Sequence, residues 1–176
     1  MSETVIFLNF WLAIGTVALL ASSLVLFGDI FFNQRKFFGE AVRKYGLLTA
    51  FILASGASVM TLIYSDVLGF LPCWLCWWQR VFLYPQVLML GAAYFMKEKT
   101  FALYGIVLSI PGFIVAAYQH YVQMGGTELV GCPAGGGDCG QRFVFEFGFV
   151  TFPLMAAALF LFLIALYAYL YKGARD

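Results

Sequence analysis

Charge is what this chain has least of. Ten Lys and Arg and nine Asp and Glu make 11% of its 176 residues, where a soluble domain carries about 25%. So little polar surface cannot cover a water-soluble globule of this size. The near-zero balance, +1 at pH 7, excludes the basic patch that a nucleic-acid partner requires. Histidine occurs once, at His120, so no haem ligand pair is present. Trp77 follows the single Cys-x-x-Cys, where c-type haem attachment needs His. Flavin and nucleotide fingerprints are missing, as are fixed-period repeats. The only low-complexity tract is a short glycine run. The period-2 alternation of a membrane barrel is also absent. The opening "MSET" has no basic residue and no A-x-A-like cleavage site follows, so the first apolar run is expected to be a retained span rather than a cleaved leader.

What is present is apolar: 63% hydrophobic and 19% aromatic residues. A helical span needs about 20 mainly apolar residues, and five stretches qualify. They run from about Val5 to Phe27 (extensible to Phe32), Gly46 to Phe70, Trp74 to Met96, Phe101 to Val122 and Phe143 to Tyr171. Backbone groups in lipid must be satisfied within the segment, so the fold expected is all-α, a polytopic membrane helical bundle. Arg35, Lys36, Arg43, Lys44, Lys97, Lys99, Lys172 and Arg175 fall on one side of five alternating spans. By the positive-inside rule that side is cytoplasmic. The N-terminus is then outside, and only Arg80 and Arg142 lie at or near the outer face.

All four cysteines fall at the outer junctions: Cys73 and Cys76 between spans two and three, Cys132 and Cys139 between spans four and five. The outer side is where disulfides persist. In "LPCWLCWWQR" Pro72 is a helix start signal. Cys76 then lies in the first helical turn, where exposed N–H groups favour a thiolate. Arg80 shares a helix face with Cys76. Its guanidinium either supports the thiolate, holds an anionic ligand oxygen, or snorkels back to the interface. Trp74, Trp77, Trp78, Phe82 and Tyr84 could wall a site for a lipid-soluble electron acceptor, and they also suit an interfacial belt. His120 could hydrogen-bond a quinone carbonyl and lend a proton, or simply be satisfied between helices. "GCPAGGGDCG" reads as a mobile loop that does not pack and holds its pair in water, open to thiol–disulfide exchange. The arrangement reads as a relay from an external thiol, through the loop, to the helix end. A four-Cys zinc site and two inert structural disulfides are the alternatives that the residues leave open.

"PCWLCWWQR", "YQHY", the Cys132/Cys139 loop and the apolar run after it resemble the disulfide bond formation protein B family (the DsbB and BdbC types), over about residues 46–171. The Cys-x-x-Cys precedes the loop pair, as in that family. In the vitamin K epoxide reductases the order is reversed, so a reductase of that kind is the rival enzyme class and a scaffold with two disulfide staples the rival non-enzyme. The resemblance implies a four-helix domain over 46–176, with residues 1–45 as an additional N-terminal helix and cytoplasmic loop. It implies a bacterial inner-membrane thiol:quinone oxidoreductase, with ubiquinone or menaquinone as cofactor and a DsbA-like thioredoxin-fold thiol oxidase as partner. Cys132 and Cys139 would exchange with that partner. Cys73 and Cys76 would be the second pair, with Cys76 contacting the quinone and Arg80, His120 and Trp77 around it. The chain departs from the family in three places. It has the extra first span, with Asp29 read as interfacial. The Cys132/Cys139 spacing is short, so the membrane-surface helix of enterobacterial members is expected to be missing. Gln79 stands where some members have an acidic residue.

Overall fold

The computed structural model describes residues 3–32, 37–96, 101–129, 131–132 and 137–175, the last three by backbone alone. Arg35, Lys36, Lys97 and Lys99, on which half of the charge-sidedness assignment rests, lie outside the described residues. The described residues form five α-helices: α1 (Glu3–Phe31), α2 (Gly39–Leu62), α3 (Trp74–Met96), α4 (Phe101–Gln123) and α5 (Phe152–Arg175). A π-helical turn, Ile63–Val67, extends α2. Among the described residues no strand forms, only a single bridge between Glu146 and Val150. The protein is thus an all-α bundle, as its composition demands. Among the described residues four elements are long and apolar enough to cross a membrane: α1, α2 with its π turn, α4 and α5. The third stretch forms a 23-residue helix at the expected bounds but is not among those four, because Gln79, Arg80 and Gln86 interrupt its apolar character.

The starts of two helices depart from expectation, and α2 with its π turn stops at Val67 rather than Phe70. α2 begins seven residues early, because Glu40, Arg43 and Lys44 form its first turns and an apolar window cannot register them. The last helix begins at Phe152, not Phe143. Residues 143–150 are apolar but turn back on themselves: Phe147 and Gly148 both have positive φ, 54° and 76°. The turn is closed by Val150 N–H donating to the Glu146 carbonyl at 2.8 Å and Glu146 N–H to the Val150 carbonyl at 3.0 Å. A left-handed non-glycine residue is uncommon, and apolarity alone gives no sign of it.

α5 is the central element, packed on α4, α1 and α2, while α3 packs on α4 and α2. Lipid outside is as apolar as leucine, so close fit rather than water exclusion must hold such helices together. α4 meets this with a buried stripe of small residues, Gly105, Ser109, Gly112 and Ala116. A Cβ at Gly105 would fall 2.5 Å from the Tyr167 ring, and one at Gly112 2.6 Å from the Phe160 ring. Both rings belong to α5 and are almost fully buried.

Thr16 and Ser23 bond back to carbonyls of their own helix at 2.8 and 2.7 Å, whereas other buried polar side chains are paired between helices. Gln86 of α3 accepts from Ser109 of α4 at 3.2 Å and from the Tyr167 hydroxyl of α5 at 3.0 Å, and its own amide donates to the Phe82 carbonyl at 2.9 Å. α1 is fastened near both of its ends. Asn9 accepts from the Tyr64 hydroxyl, and Asp29 accepts from Tyr169 at 2.6 Å and from the Phe38 amide at 3.2 Å. Asp29, near the end of α1, is 4% exposed and acts as a buried tether. Its carboxylate is needed there because the chain must turn from α1 into α2 under α5, and it binds both elements.

Gly112→Val should overpack the α4–α5 contact and destabilise the protein by about 1–3 kcal/mol. The thermal midpoint in detergent would read this out, with Gly15→Val, whose Cβ would meet nothing within 4 Å, staying close to wild type.

Candidate functional site

Cys73 is the residue immediately before α3. Its sulfur accepts the main-chain N–H of Cys76 at 3.4 Å, and its carbonyl accepts that of Trp77 at 3.1 Å. A thiol therefore does the work that Ser or Asp does at an ordinary helix start. Pro72 lies one position outside the cap rather than inside the first turn. Cys76 is the third helical residue, as the sequence indicated. The two sulfurs are unbonded and 3.0 Å apart. Cys73 is buried and Cys76 partly so. The Cys73 thiol is pushed up by the hydrogen bond it shares with Cys76 and, next, by burial.

The side chain that reaches both sulfurs is one that no sequence pattern singled out. Gln119 of α4 is 1% exposed. Its Nε2 donates to Cys73 Sγ at 3.1 Å and to Cys76 Sγ at 3.3 Å. Its Oε1 accepts from Gln79 Nε2 of α3 at 2.6 Å. A polar amide inside the apolar "AAYQHYVQ" is the signal the sequence carries for it. His120 itself turns the other way: Nδ1 lies 2.8 Å from Thr151 Oγ1, just before α5.

Arg80 lies one turn below Cys76 and is buried, at 8% exposed. It does not snorkel outward. Its Nη2 donates to the Thr61 carbonyl at 2.9 Å, in the last turn of α2 before the π-helical turn, a type of helix irregularity frequent at functional sites. The Trp77 ring stands 5.0 Å from the guanidinium carbon and is half exposed, like Trp74 and Trp78. The three indoles line the open side of α3. Trp78 stacks on Phe82 at 6.0 Å, and Tyr84 bonds to Thr61 Oγ1 at 2.7 Å.

The second pair is a disulfide, Cys132–Cys139. The expectation that its loop stands in water without packing is overturned. Cys139 is 3% exposed and forms one buried cluster with Cys73 and Leu75, against which Cys76, Cys132, Val115 and Tyr118 pack. Glycine is the reason. A Cβ at Gly137 would lie 2.5 Å from the Leu71 carbonyl oxygen and 3.6 Å from the Cys73 nitrogen, so only a residue without one lets the loop backbone settle on the entrance to α3. Gln123 of α4 clamps the far side, donating to the Gln141 carbonyl at 2.9 Å. Gly137 therefore serves close approach. With Cys132 bonded to Cys139, the four sulfurs are not a metal-ligand set. No group of three or more His, Cys, Asp or Glu residues is placed to hold a metal among the described residues.

Two thiols capping a helix, with a disulfide packed onto them, is an arrangement built for exchange of sulfur bonds. The family profile of disulfide bond formation protein DsbB matches residues 43–170. The chain belongs to the DsbB family. It is 37% identical over 123 residues to a probable disulfide formation protein of Oceanobacillus iheyensis, covering 69% of this chain and 85% of that one. It is 35% identical over 117 residues to the SPbeta prophage-derived disulfide bond formation protein B of Bacillus subtilis, covering 66% and 79%. A probable disulfide formation protein of Chlamydia caviae is 34% identical over 120 residues, covering 68% and 86%. No solved structure matches the chain. DsbB-family membership supports a thiol oxidoreductase of disulfide formation. The family match begins after α1, so the Asn9 and Asp29 tethers belong to the part of the chain outside it.

Gly137→Ala should lift the loop from the start of α3 while leaving the Cys132–Cys139 bond able to form. Transfer of oxidation between the two pairs, followed by quenched alkylation and mass mapping, should slow about tenfold or more, the order expected when reacting atoms are displaced by about 1 Å.

Proposed function

We propose that this protein is a membrane thiol:quinone oxidoreductase that reoxidises an extracytoplasmic thiol oxidase of thioredoxin fold, of the DsbA kind. The observation that carries the reading is the packing of the Cys132–Cys139 disulfide into the same buried cluster as Cys73 and Cys76. In this reading α3 is a fifth span, shielded by its neighbours. The cysteine end faces the outside of a bacterial inner membrane and the C-terminus is cytoplasmic, in keeping with Arg43, Lys44 and Lys172 at the opposite helix ends.

The electron balance is simple. A reduced partner dithiol attacks Cys132–Cys139, leaving as a disulfide and passing two electrons to the loop pair. The loop dithiol then reduces a Cys73–Cys76 disulfide and is itself reoxidised. Reoxidation of Cys73 and Cys76 releases two electrons and two protons. A bound ubiquinone or menaquinone would supply the acceptor for both.

The residues around Cys76 fit such a ligand. Cys76 is only partly buried, and exposed indoles flank it on the open side of the helix. Arg80 carries five N–H donors, of which one bond, to the Thr61 carbonyl, is seen among the described residues. Its charge is placed to stabilise negative charge on a ligand oxygen. Trp77 would lie over the same region. His120 could contribute only through Nε2, since Nδ1 is engaged by Thr151. Energetics favour a quinone over glutathione, because a partner poised near about −120 mV is recharged only by a stronger oxidant, and about 30 mV is worth about 1.4 kcal/mol for two electrons.

Purified protein, incubated with reduced partner and a soluble quinone, should consume quinone absorbance in proportion to partner oxidised. Cys76→Ser should abolish quinone reduction. Arg80→Ala should lower kcat/KM for quinone by about tenfold or more, with the loop disulfide still reducible by the partner. Normal quinone turnover by Cys76→Ser would remove the mechanism, and a pair of disulfides inert to both partner and quinone would leave a scaffold.

A further inference from the structure

The Gln79–Gln119 pair is not explained by anything so far. Two amides, one from α3 and one from α4, meet at 2.6 Å beside the sulfurs. Gln119 is almost completely buried, and both N–H bonds of its terminal amide are directed at sulfur. Packing alone would be met by Leu or Met, and the desolvation of a buried amide costs free energy unless every one of its groups is paired. Here every group is paired, and the pairing has a direction. Gln79 donates to Gln119 Oε1 at 2.6 Å, far closer than the 3.8 Å at which the Cys76 thiol also reaches that oxygen, so the amide turns chiefly its donor end toward Cys73 and Cys76.

We propose that Gln119 is a catalytic residue, an anion donor that stabilises the thiolate of the Cys73–Cys76 pair, and that Gln79 is the positioning residue that fixes which end of the Gln119 amide faces sulfur. The proposal deepens the oxidoreductase reading and rests on it for its purpose. N–H donors aimed at sulfur favour the ionised over the protonated form, and a hydrogen bond to a charged group is stronger than one to a neutral group. The same bonds weaken when the sulfurs join in a disulfide, so the amide favours the reduced, ionised pair that must deliver electrons.

Other charged or titratable groups at Cys76 are few. Cys73 shares its hydrogen bond from the entrance to α3. Arg80 lies one turn on in α3, with its guanidinium bonded to Thr61. Tyr118 of α4 packs at the cluster edge, its oxygen accepting from Leu129 N–H at 2.8 Å. From the loop come Cys132 and Cys139, which do not titrate while bonded. Apart from the long contact of the Cys76 thiol with Gln119 Oε1 at 3.8 Å, none of these orients the Gln119 amide.

A glutamate at position 79 would be an acceptor only. It would draw Gln119 Nε2 toward itself and present Oε1 to the sulfurs, opposing the thiolate. The test uses the full chain in detergent with Cys132→Ser and Cys139→Ser, reduced, without quinone or partner. The rate of Cys76 alkylation by iodoacetamide is followed from pH 5 to 10, with mass mapping to separate it from Cys73. Q119L should move the alkylation profile about one pH unit higher, a tenfold lower rate below the midpoint, equivalent to about 1.4 kcal/mol. Q79E should do the same, and Q79L should shift it less. In the Q119L background Q79E should add nothing, because its effect passes through the amide. A Q119L profile that superimposes on the parent overturns the donor role. An undiminished Q79E shift in the Q119L background overturns the positioning role, since simple charge repulsion would then explain it. Should Q119L not fold, Q79E against Q79L at the half-buried position 79 decides: equal profiles overturn the proposal. Loss of quinone turnover in otherwise unmodified protein would defeat the oxidoreductase reading without touching these profiles.

Discussion

The structure depends on one constraint: a polar group held among apolar helices must find its partner inside the protein. Water is not there to satisfy it, and each unpaired group would cost several kcal/mol. The buried polar side chains of this bundle obey the rule almost throughout. Asn9 meets Tyr64, Asp29 meets Tyr169, and Gln86 meets Ser109 and Tyr167. Each of these bonds joins two different helices, so the same constraint that makes them necessary also sets how the helices are arranged. Among the described residues only Ser55 Oγ and Gln123 Oε1 are buried without a partner.

At the redox site the same constraint acts on chemistry. Sulfur is a weak acceptor, and a buried thiolate is hard to maintain without donors. The start of α3 provides a main-chain N–H to Cys73, and α4 provides the amide of Gln119 to both sulfurs. Arg80 adds positive charge nearby, yet it too is anchored, to the Thr61 carbonyl at the end of α2. Three helices thus contribute to one pair of thiols, and α4 is held in turn by its small-residue contact with α5. A shift of α4 by an ångström would lengthen the Gln119 bonds beyond useful range. Close packing at Gly105 and Gly112, far along the helix from the sulfurs, is therefore part of how the site keeps its geometry.

Much of this was legible in the residues. Five helices, their approximate limits, the placing of both cysteine pairs at helix junctions and the role of Cys76 as a first-turn residue all follow from apolar length and from Pro72. What could not be read has physical causes. The turn at Phe147 and Gly148 is apolar, so hydropathy carried it into a helix that begins only at Phe152. The glycines at 135–137 fitted either looseness or close approach, and Gly137 shows that the second applies, because contact with the Leu71 carbonyl depends on the fold and not on composition. Gln119 was passed over because a glutamine has no motif of its own. Its importance comes from lying opposite Cys73 and Cys76, 46 and 43 residues away in sequence.

The additional helix α1 raises the question of why a domain matched from residue 43 onward carries it at all. A loosely attached anchor would need no polar contacts with the bundle. α1 has two, near opposite ends, and packs along α5, the helix that the rest of the bundle surrounds. The Tyr64 hydroxyl that Asn9 accepts from belongs to the π-helical turn, and the Tyr64 ring packs edge-on against Phe152 at the start of α5, 4.6 Å between centroids. That turn follows directly on Thr61, whose carbonyl holds Arg80. α1 therefore reaches the π-helical turn at the end of α2 through the Asn9–Tyr64 bond, close in sequence to the carbonyl that fixes the guanidinium beside Cys76. Its contact with the chemistry is indirect, two hydrogen bonds removed, and it lies in holding an irregular helix turn that would be the weakest point of an unsupported α2.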